Sequence, residues 1–320
     1  MAMASAATAS ARLATPRMPM RPGPAEARAK IAAMSRVAYV NGRYLPHRDA
    51  AVHIEDRGYQ FADGCYEVVA IRAGRFVDEE LHLRRLHRSL DAIEIAAPMS
   101  DAALKNVIGE VARRNGVDEG FVYLQITRGT APRNFAFPQG VKPSLVVTAR
   151  RQTLADPRAL AEGVKVITIA DIRWARPDIK SVSLLPNVLG KEKARRAGAY
   201  EAWQVDRDGN VTEGTSSNAW IVTDADEVVT HAADQAILNG VTRQGLIRVV
   251  ADAGLQLVER RFSVNEAKAA REALLTSSTN FVLPVVRIDD AVIGSGKPGP
   301  LAKRLAALYA GYATAGGQDR

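Results

Sequence analysis

The chain has 320 residues, 47% hydrophobic and 24% charged; this composition supplies a real core and, at about 100–200 residues per domain, leaves room for two domains. No uninterrupted apolar stretch approaches the ~18 residues that a membrane span needs, and the single cysteine, Cys65, excludes an intrachain disulfide framework or a multi-thiolate metal site. Of the formal charge of +8, residues 1–36 carry +5 through six basic residues and one acid, so the body is left at +3, too little to mark a nucleic-acid binder.

In chain order, residues 1–36 are rich in Ala, Ser, Met, Arg and Pro without apolar periodicity and read as a disordered extension. Two origins fit: an over-long start, with Met34 opening the protein proper, or an Arg-bearing, acid-poor transit peptide. Folding is expected to begin at 37 with a hairpin about Asn41-Gly42, followed by a strand from Cys65 to Arg72 turning at Ala73-Gly74. Leu83, Leu86, Leu90 and Ile93 recur at helical spacing and predict an amphipathic helix over about 79–95. A second helix over 100–114 and strands at 121–127 and 144–149 complete a unit without βαβ alternation, which points to the α+β class.

The pattern turns polar between Gln152 and Gly163, marking a boundary. An alternating strand follows at 164–169, then hairpins turning at Asp208-Gly209 and near Asp224-Ala225-Asp226. Thr242 reads as the N-cap of a helix bearing Leu246, Val249 and Val250, and strands near 273–278 and 281–288 with a helix over 300–312 close the chain. The organisation is therefore 1–36 extension, 37–155 small N-terminal domain, 156–164 linker, 165–312 large β-rich C-terminal domain and 313–320 flexible tail.

The five histidines show no HExxH or paired metal spacing, so no metal site is expected, and His82 and His87 read as helix-surface residues. Gly294-Ser295-Gly296-Lys297 imitates part of a phosphate loop but lacks its first glycine, and no GxGxxG or GxSxG occurs in a supporting context. Two features are less bland. Glu213-Gly214-Thr215-Ser216-Ser217-Asn218 places a carboxylate among small hydroxyls, either a capped turn or a site, and Gly240-Val241-Thr242-Arg243 opens a helix whose free N–H groups can hold an anion. Lys180 lies in an apolar stretch, where a lysine either snorkels to solvent or becomes a desolvated nucleophilic amine.

The segment Glu55-Asp56-Arg57-Gly58-Tyr59-Gln60-Phe61-Ala62-Asp63-Gly64-Cys65-Tyr66-Glu67-Val68 closely resembles the D-amino-acid aminotransferases, pyridoxal-phosphate (PLP) enzymes of fold type IV. The likeness continues in order through Leu83-Arg84-Arg85-Leu86, Thr127-Arg128-Gly129-Thr130-Ala131-Pro132-Arg133, Asp171-Ile172-Arg173-Trp174 and Asp178-Ile179-Lys180-Ser181. Val211-Thr212-Glu213-Gly214, Leu238-Asn239-Gly240-Val241-Thr242-Arg243 and Thr276-Ser277-Ser278-Thr279 extend it, so that it spans nearly all of 37–310.

The resemblance implies a two-domain α+β fold with the active site between the domains. It implies Lys180 as the catalytic amine that holds PLP and shuttles the substrate α-proton, and Glu213 as the carboxylate facing the pyridine nitrogen. Arg85, with Val241, Thr242 and Ser278, would form the phosphate cup, and Leu238 would pack against the ring. Tyr66 and Arg133 match two of three groups that grip the substrate α-carboxylate; where the third, a histidine, is expected, this chain has Phe135. The loop bearing Arg133 implies a homodimer, since in the family it reaches the partner's active site. The implied activity is ping-pong transamination of a D-alanine-like donor with 2-oxoglutarate in the cytoplasm. The alternatives within the fold are a branched-chain aminotransferase, an (R)-amine transaminase and an aminodeoxychorismate lyase; outside it, a catalytically silent relative.

Overall fold

A computed structural model describes residues 36–317. The expected extension, apart from Arg36, and the last three residues of the expected tail lie outside the described residues. Among the described residues no helix is long and apolar enough to cross a membrane, and no group of His, Cys, Asp and Glu could hold a metal ion.

The first sheet is antiparallel, with β1 (Val37–Val40), β2 (Arg43–Pro46), β3 (Gly64–Arg72), β4 (Arg75–Phe76), β5 (Gly120–Thr127) and β6 (Ser144–Arg151) in the order β2-β1-β6-β5-β3-β4. Both tight turns take the form that their sequences predict: Asn41-Gly42 and Ala73-Gly74 carry positive φ at both central residues, which matches the right-handed twist of the flanking strands. A short helix α1 (Arg57–Phe61), not foreseen, starts at Asp56, whose side chain accepts from Gly58 N–H. Helices α2 (Glu79–Ala92) and α3 (Asp101–Arg114) cover one face of the sheet, Leu83, Leu86, Leu90, Leu104, Ile108 and Val111 packing on Val122, Leu124, Ile126 and Val147. Ile108 is fully buried in this cluster and remote from the cleft described below. Ile108→Ala is expected to cost about 2–5 kcal/mol in a denaturant titration while leaving activity per folded molecule unchanged.

Between the sheets the expected linker carries a helix, α4 (Pro157–Glu162), with Asp156 accepting from Arg158 N–H at its start. The second sheet is mixed, its principal strands being β7 (Val164–Ala170), β8 (Glu201–Val205), β9 (Val211–Gly214), β10 (Asn218–Val222), β11 (Val228–Thr230), β12 (Leu257–Glu259), β13 (Glu272–Ser277) and β14 (Phe281–Ile288). β7 pairs parallel with β8 and β14, and β11 with β12, whereas the other pairings along the sheet are antiparallel. Both faces of this sheet are covered, so β10 is buried at every position and shows no alternation. Trp220 and Val222 face a cluster with α6 (Val241–Asp252) and α8 (Pro300–Thr314); Ala219 and Ile221 face Trp203, Phe262, Leu283 and Ala267 of α7 (Val264–Ala269). The helix α5 (Leu185–Arg196) was not foreseen from periodicity, because only Gly190 and Ala194 of its residues are buried.

Two boundaries differ from expectation. The α6 N-cap is Gly240, not Thr242, which lies inside the first turn. A Cβ at Gly240 would sit 2.1 Å from Asn218 Oδ1, so the chain passes closest to Asn218 at a residue without one. At the C-terminus, α8 runs to Thr314 with Ala313 buried, and Asp78 N–H donates to Gly316 O, so 313–317 are anchored at these two residues rather than a free tail. The mixed helix and sheet composition is that of the expected α+β class.

Candidate active site

A cleft of about 400 Å³ opens between the two sheets. The first sheet contributes Tyr66 and Val68, alternate residues of β3, and Phe121 of β5. The second contributes the β9–β10 turn, the start of α6 and the end of β13.

Lys180 comes from an irregular segment that docks on the part of the β3 edge left open by β4. Tyr66 N–H donates to Lys180 O at 3.1 Å, and Val182 N–H donates to Gly64 O at 3.0 Å. Lys180 N–H donates to Ser89 Oγ of α2 at 3.2 Å, so its backbone is held from two elements. Its Nζ lies in the cleft, 4.2 Å from the centre of the Tyr66 ring.

Glu213 is buried at the end of β9. Leu238 N–H donates to its Oε1 at 3.1 Å, Asn218 Nδ2 donates to Oε2 at 3.0 Å, and the Arg173 guanidinium donates to Oε1. Arg173 is itself held by Asp171, with Nε to Oδ1 at 2.9 Å and Nη2 to Oδ2 at 2.6 Å. Burial pushes the Glu213 carboxyl above its ordinary range, against the opposing pull of Arg173, the Leu238 N–H and Lys180. A further cationic N–H donor in the cleft would favour the carboxylate form.

Opposite, the first turn of α6 has no side-chain cap, and Gly240, Val241 and Thr242 line the cleft. Such N–H groups, with the helix dipole, favour an anion. Arg85 lines the same cleft and donates through Nη1 to Asn239 O at 3.4 Å, just before that turn. Leu238 and Ser278 are also in the wall.

The structure therefore brings eight expected residues to one cleft: Lys180, Glu213, Arg85, Leu238, Val241, Thr242, Ser278 and Tyr66. It does not bring Arg133 or Phe135 there. Arg133 stacks 5.0 Å from the Phe61 ring centre, and Phe135 is 79% exposed. Of the two readings of the 213–218 turn, both hold in part. The Thr215, Ser216 and Ser217 hydroxyls turn away to the buried Glu201, as in a capped turn, while Glu213 faces the cleft.

Sequence reasoning gave no role to Arg173, Glu67 or Glu201 and misplaced His82, which is 2% exposed rather than on the helix surface. The available signal was an acid inside an apolar strand, as in Tyr66-Glu67-Val68 and Tyr200-Glu201-Ala202: a carboxylate is buried only when paired.

The family model for amino-transferase class IV matches residues 64–288. The D-alanine aminotransferase of Bacillus licheniformis is 42% identical over 83% of this chain and 93% of its own length. The chain belongs to the class IV aminotransferases. Among solved structures, the branched-chain amino acid aminotransferase of Escherichia coli has a TM-score of 0.80 at 21% identity, covering 89% of this chain and 97% of that one, which speaks for the fold. The 4-amino-4-deoxychorismate lyase of Pseudomonas aeruginosa has a TM-score of 0.72 at 27% identity, covering 84% and 97%.

The cofactor of this aminotransferase is PLP, and the cleft fits it on its own chemistry. An amine is present for the aldehyde, and the buried Glu213 carboxylate, pushed above its ordinary range by burial in spite of Arg173, gains from a cationic ring nitrogen beside it. An uncapped helix start beside an arginine suits the phosphate.

Proposed function

We propose that this aminotransferase transfers the amino group of a D-alanine-like donor to 2-oxoglutarate by a ping-pong route, as a cytoplasmic homodimer whose two sheets form a small and a large domain. The observation that carries the proposal is the convergence of Lys180, Glu213 and Arg85 on one cleft between the sheets.

Bound PLP supplies an electron sink that acidifies the substrate Cα–H. Lys180 would hold the cofactor, and its Nζ would carry the Cα proton, a task for which a lysine amine on a fixed backbone is suited. Glu213 keeps the ring nitrogen cationic. Arg85, Thr242 and the Val241 backbone anchor the phosphate, Ser278 adds a hydroxyl, and Leu238 packs against the ring. Tyr66 takes part in gripping the donor carboxylate. D-selectivity follows from which side of the cleft holds that carboxylate while the Cα–H faces Lys180.

Arg133 completes the carboxylate grip of the partner's cleft and Phe135 sits at its rim, which is consistent with neither residue lining the cleft of its own chain. Exposed apolar side chains at Ile54, Tyr59, Leu185 and Val188 support an assembly that covers them. Phe135 in the place of a histidine removes one donor and makes the rim more apolar, which favours a second reading: bulkier donors, or (R)-amines without a carboxylate.

The deciding experiment is an amino-donor screen across D- and L-amino acids and simple (R)-amines. D-alanine with 2-oxoglutarate is expected to give pyruvate while L-alanine does not. Preference for L-leucine would move the assignment to a branched-chain enzyme, and preference for an (R)-amine to the second reading. Phe135→His restores a donor to a charged group, an interaction of about 1.5–3 kcal/mol, so KM for small D-amino acids is expected to fall about tenfold or more. An unchanged KM would place residue 135 outside every substrate pocket.

A further inference from the structure

The group least expected from sequence is a buried triad behind the cleft. Glu67 follows Tyr66 on β3, so its side chain points to the opposite face, into α2. There it meets His82 and Arg85, three apart on one helix face; the three residues are 1%, 2% and 6% exposed. Arg85 Nε donates to Glu67 Oε1 at 2.8 Å, and Arg85 Nη2 donates to Oε2 at 2.7 Å. His82 Nδ1 lies 2.7 Å from the same Oε2. Burial would raise the Glu67 carboxyl, but Arg85 and His82 outweigh it and hold the group well below the carboxylate range. Glu67 is therefore an acceptor only, and the His82 tautomer that fits carries its proton on Nδ1.

The geometry leaves Arg85 little freedom. Its Nε–Nη2 edge is clamped side-on by Glu67, and the Nη1 corner is directed to Asn239 O, one residue before the uncapped α6 start. An arginine on a flexible stem would lose rotamer entropy each time it bound an anion; one already held loses little.

We propose that Glu67, steadied by His82, is a positioning residue that presents the Nη1 edge of Arg85 to the cofactor phosphate and thereby sets the affinity for the phosphorylated cofactor. This rests on the cleft being the PLP site. Glu67 touches neither substrate nor ring and acts through Arg85 alone, so its influence is confined to the phosphate end.

The test compares binding of PLP with that of pyridoxal, which has the same ring and aldehyde but no phosphate, to the full-length protein by absorbance titration. Glu67→Asp keeps the charge but is one methylene too short for the side-on clamp. Its Kd for PLP is expected to rise about tenfold, while the Kd for pyridoxal stays within about twofold. Equal weakening of both ligands would make Glu67 merely structural, and an unchanged Kd for PLP would remove its role; either overturns the proposal while leaving the site reading intact. A wild-type protein that binds PLP no better than pyridoxal would overturn the site reading and the proposal together. Should Glu67→Asp fail to fold, His82→Leu puts the same question without touching the ion pair. It is expected to weaken PLP about threefold and pyridoxal not at all, and parallel loss of both would again overturn the proposal.

Discussion

Lys180→Ala is expected to lower the rate of amino transfer by at least about 10⁴-fold, the upper range for loss of a positioned general acid–base group, because the same amine also serves as nucleophile. A single-turnover measurement with D-alanine isolates this step from cofactor supply. Borohydride treatment of the wild-type protein is expected to fix a chromophore to the peptide containing Lys180, and the variant should take no such label. PLP should still bind the variant non-covalently, since Arg85 and the α6 start line the cleft independently of Lys180. The fold should tolerate the change, with about 1 kcal/mol or less lost, because the Lys180 backbone is held by Tyr66 and Ser89 through bonds that alanine keeps. A variant that keeps the wild-type rate would remove Lys180 from the chemistry.

Glu213→Gln is expected to cost about 10²–10³-fold in kcat, the scale of losing one preorganised electrostatic partner in a water-poor site. An amide cannot favour a cationic ring nitrogen as a carboxylate does, although it fills the same space. The stability effect should be much smaller than the activity effect. The folded-state pKa of Glu213 is raised from 4.5, so its contribution to stability is present below about that pH and is lost as pH rises through the folded value. In the cofactor-free protein at neutral pH, the neutral amide removes the cost of a buried charge but also the ion pair with Arg173, which keeps its two bonds to Asp171. The cofactor-free variant should melt close to the wild type, and the wild type should gain more from added PLP. Melting curves with and without PLP, together with kcat, check both halves. A variant equal to the wild type in kcat would separate Glu213 from the ring nitrogen.

The elements that the sequence made legible are those whose determinants are local. The Asn41-Gly42 hairpin follows from two residues that tolerate positive φ, and α2 follows from leucines at helical spacing. α5 escaped notice because it buries little, and β10 gave no period because both its faces are covered. Lys180, Glu213 and the Gly240–Thr242 turn stood out by residue type and by family resemblance, before any fold existed to join them.

The sequence by itself thus determined the α+β class, most of the elements and the residue types needed for transamination, because helical and strand periods, turns and motifs act over a few positions. Only the tertiary structure decided which charges are buried and with whom. Arg85 reaches Asn239 across 154 positions, and Arg173 reaches Glu213 across 40. Glu67 joins His82, expected on the helix surface, and Arg85, expected in the phosphate cup, into one ionic unit. The physical reason is that a buried charge is permitted only by its partner, and the partner comes from a distant segment that no local pattern specifies.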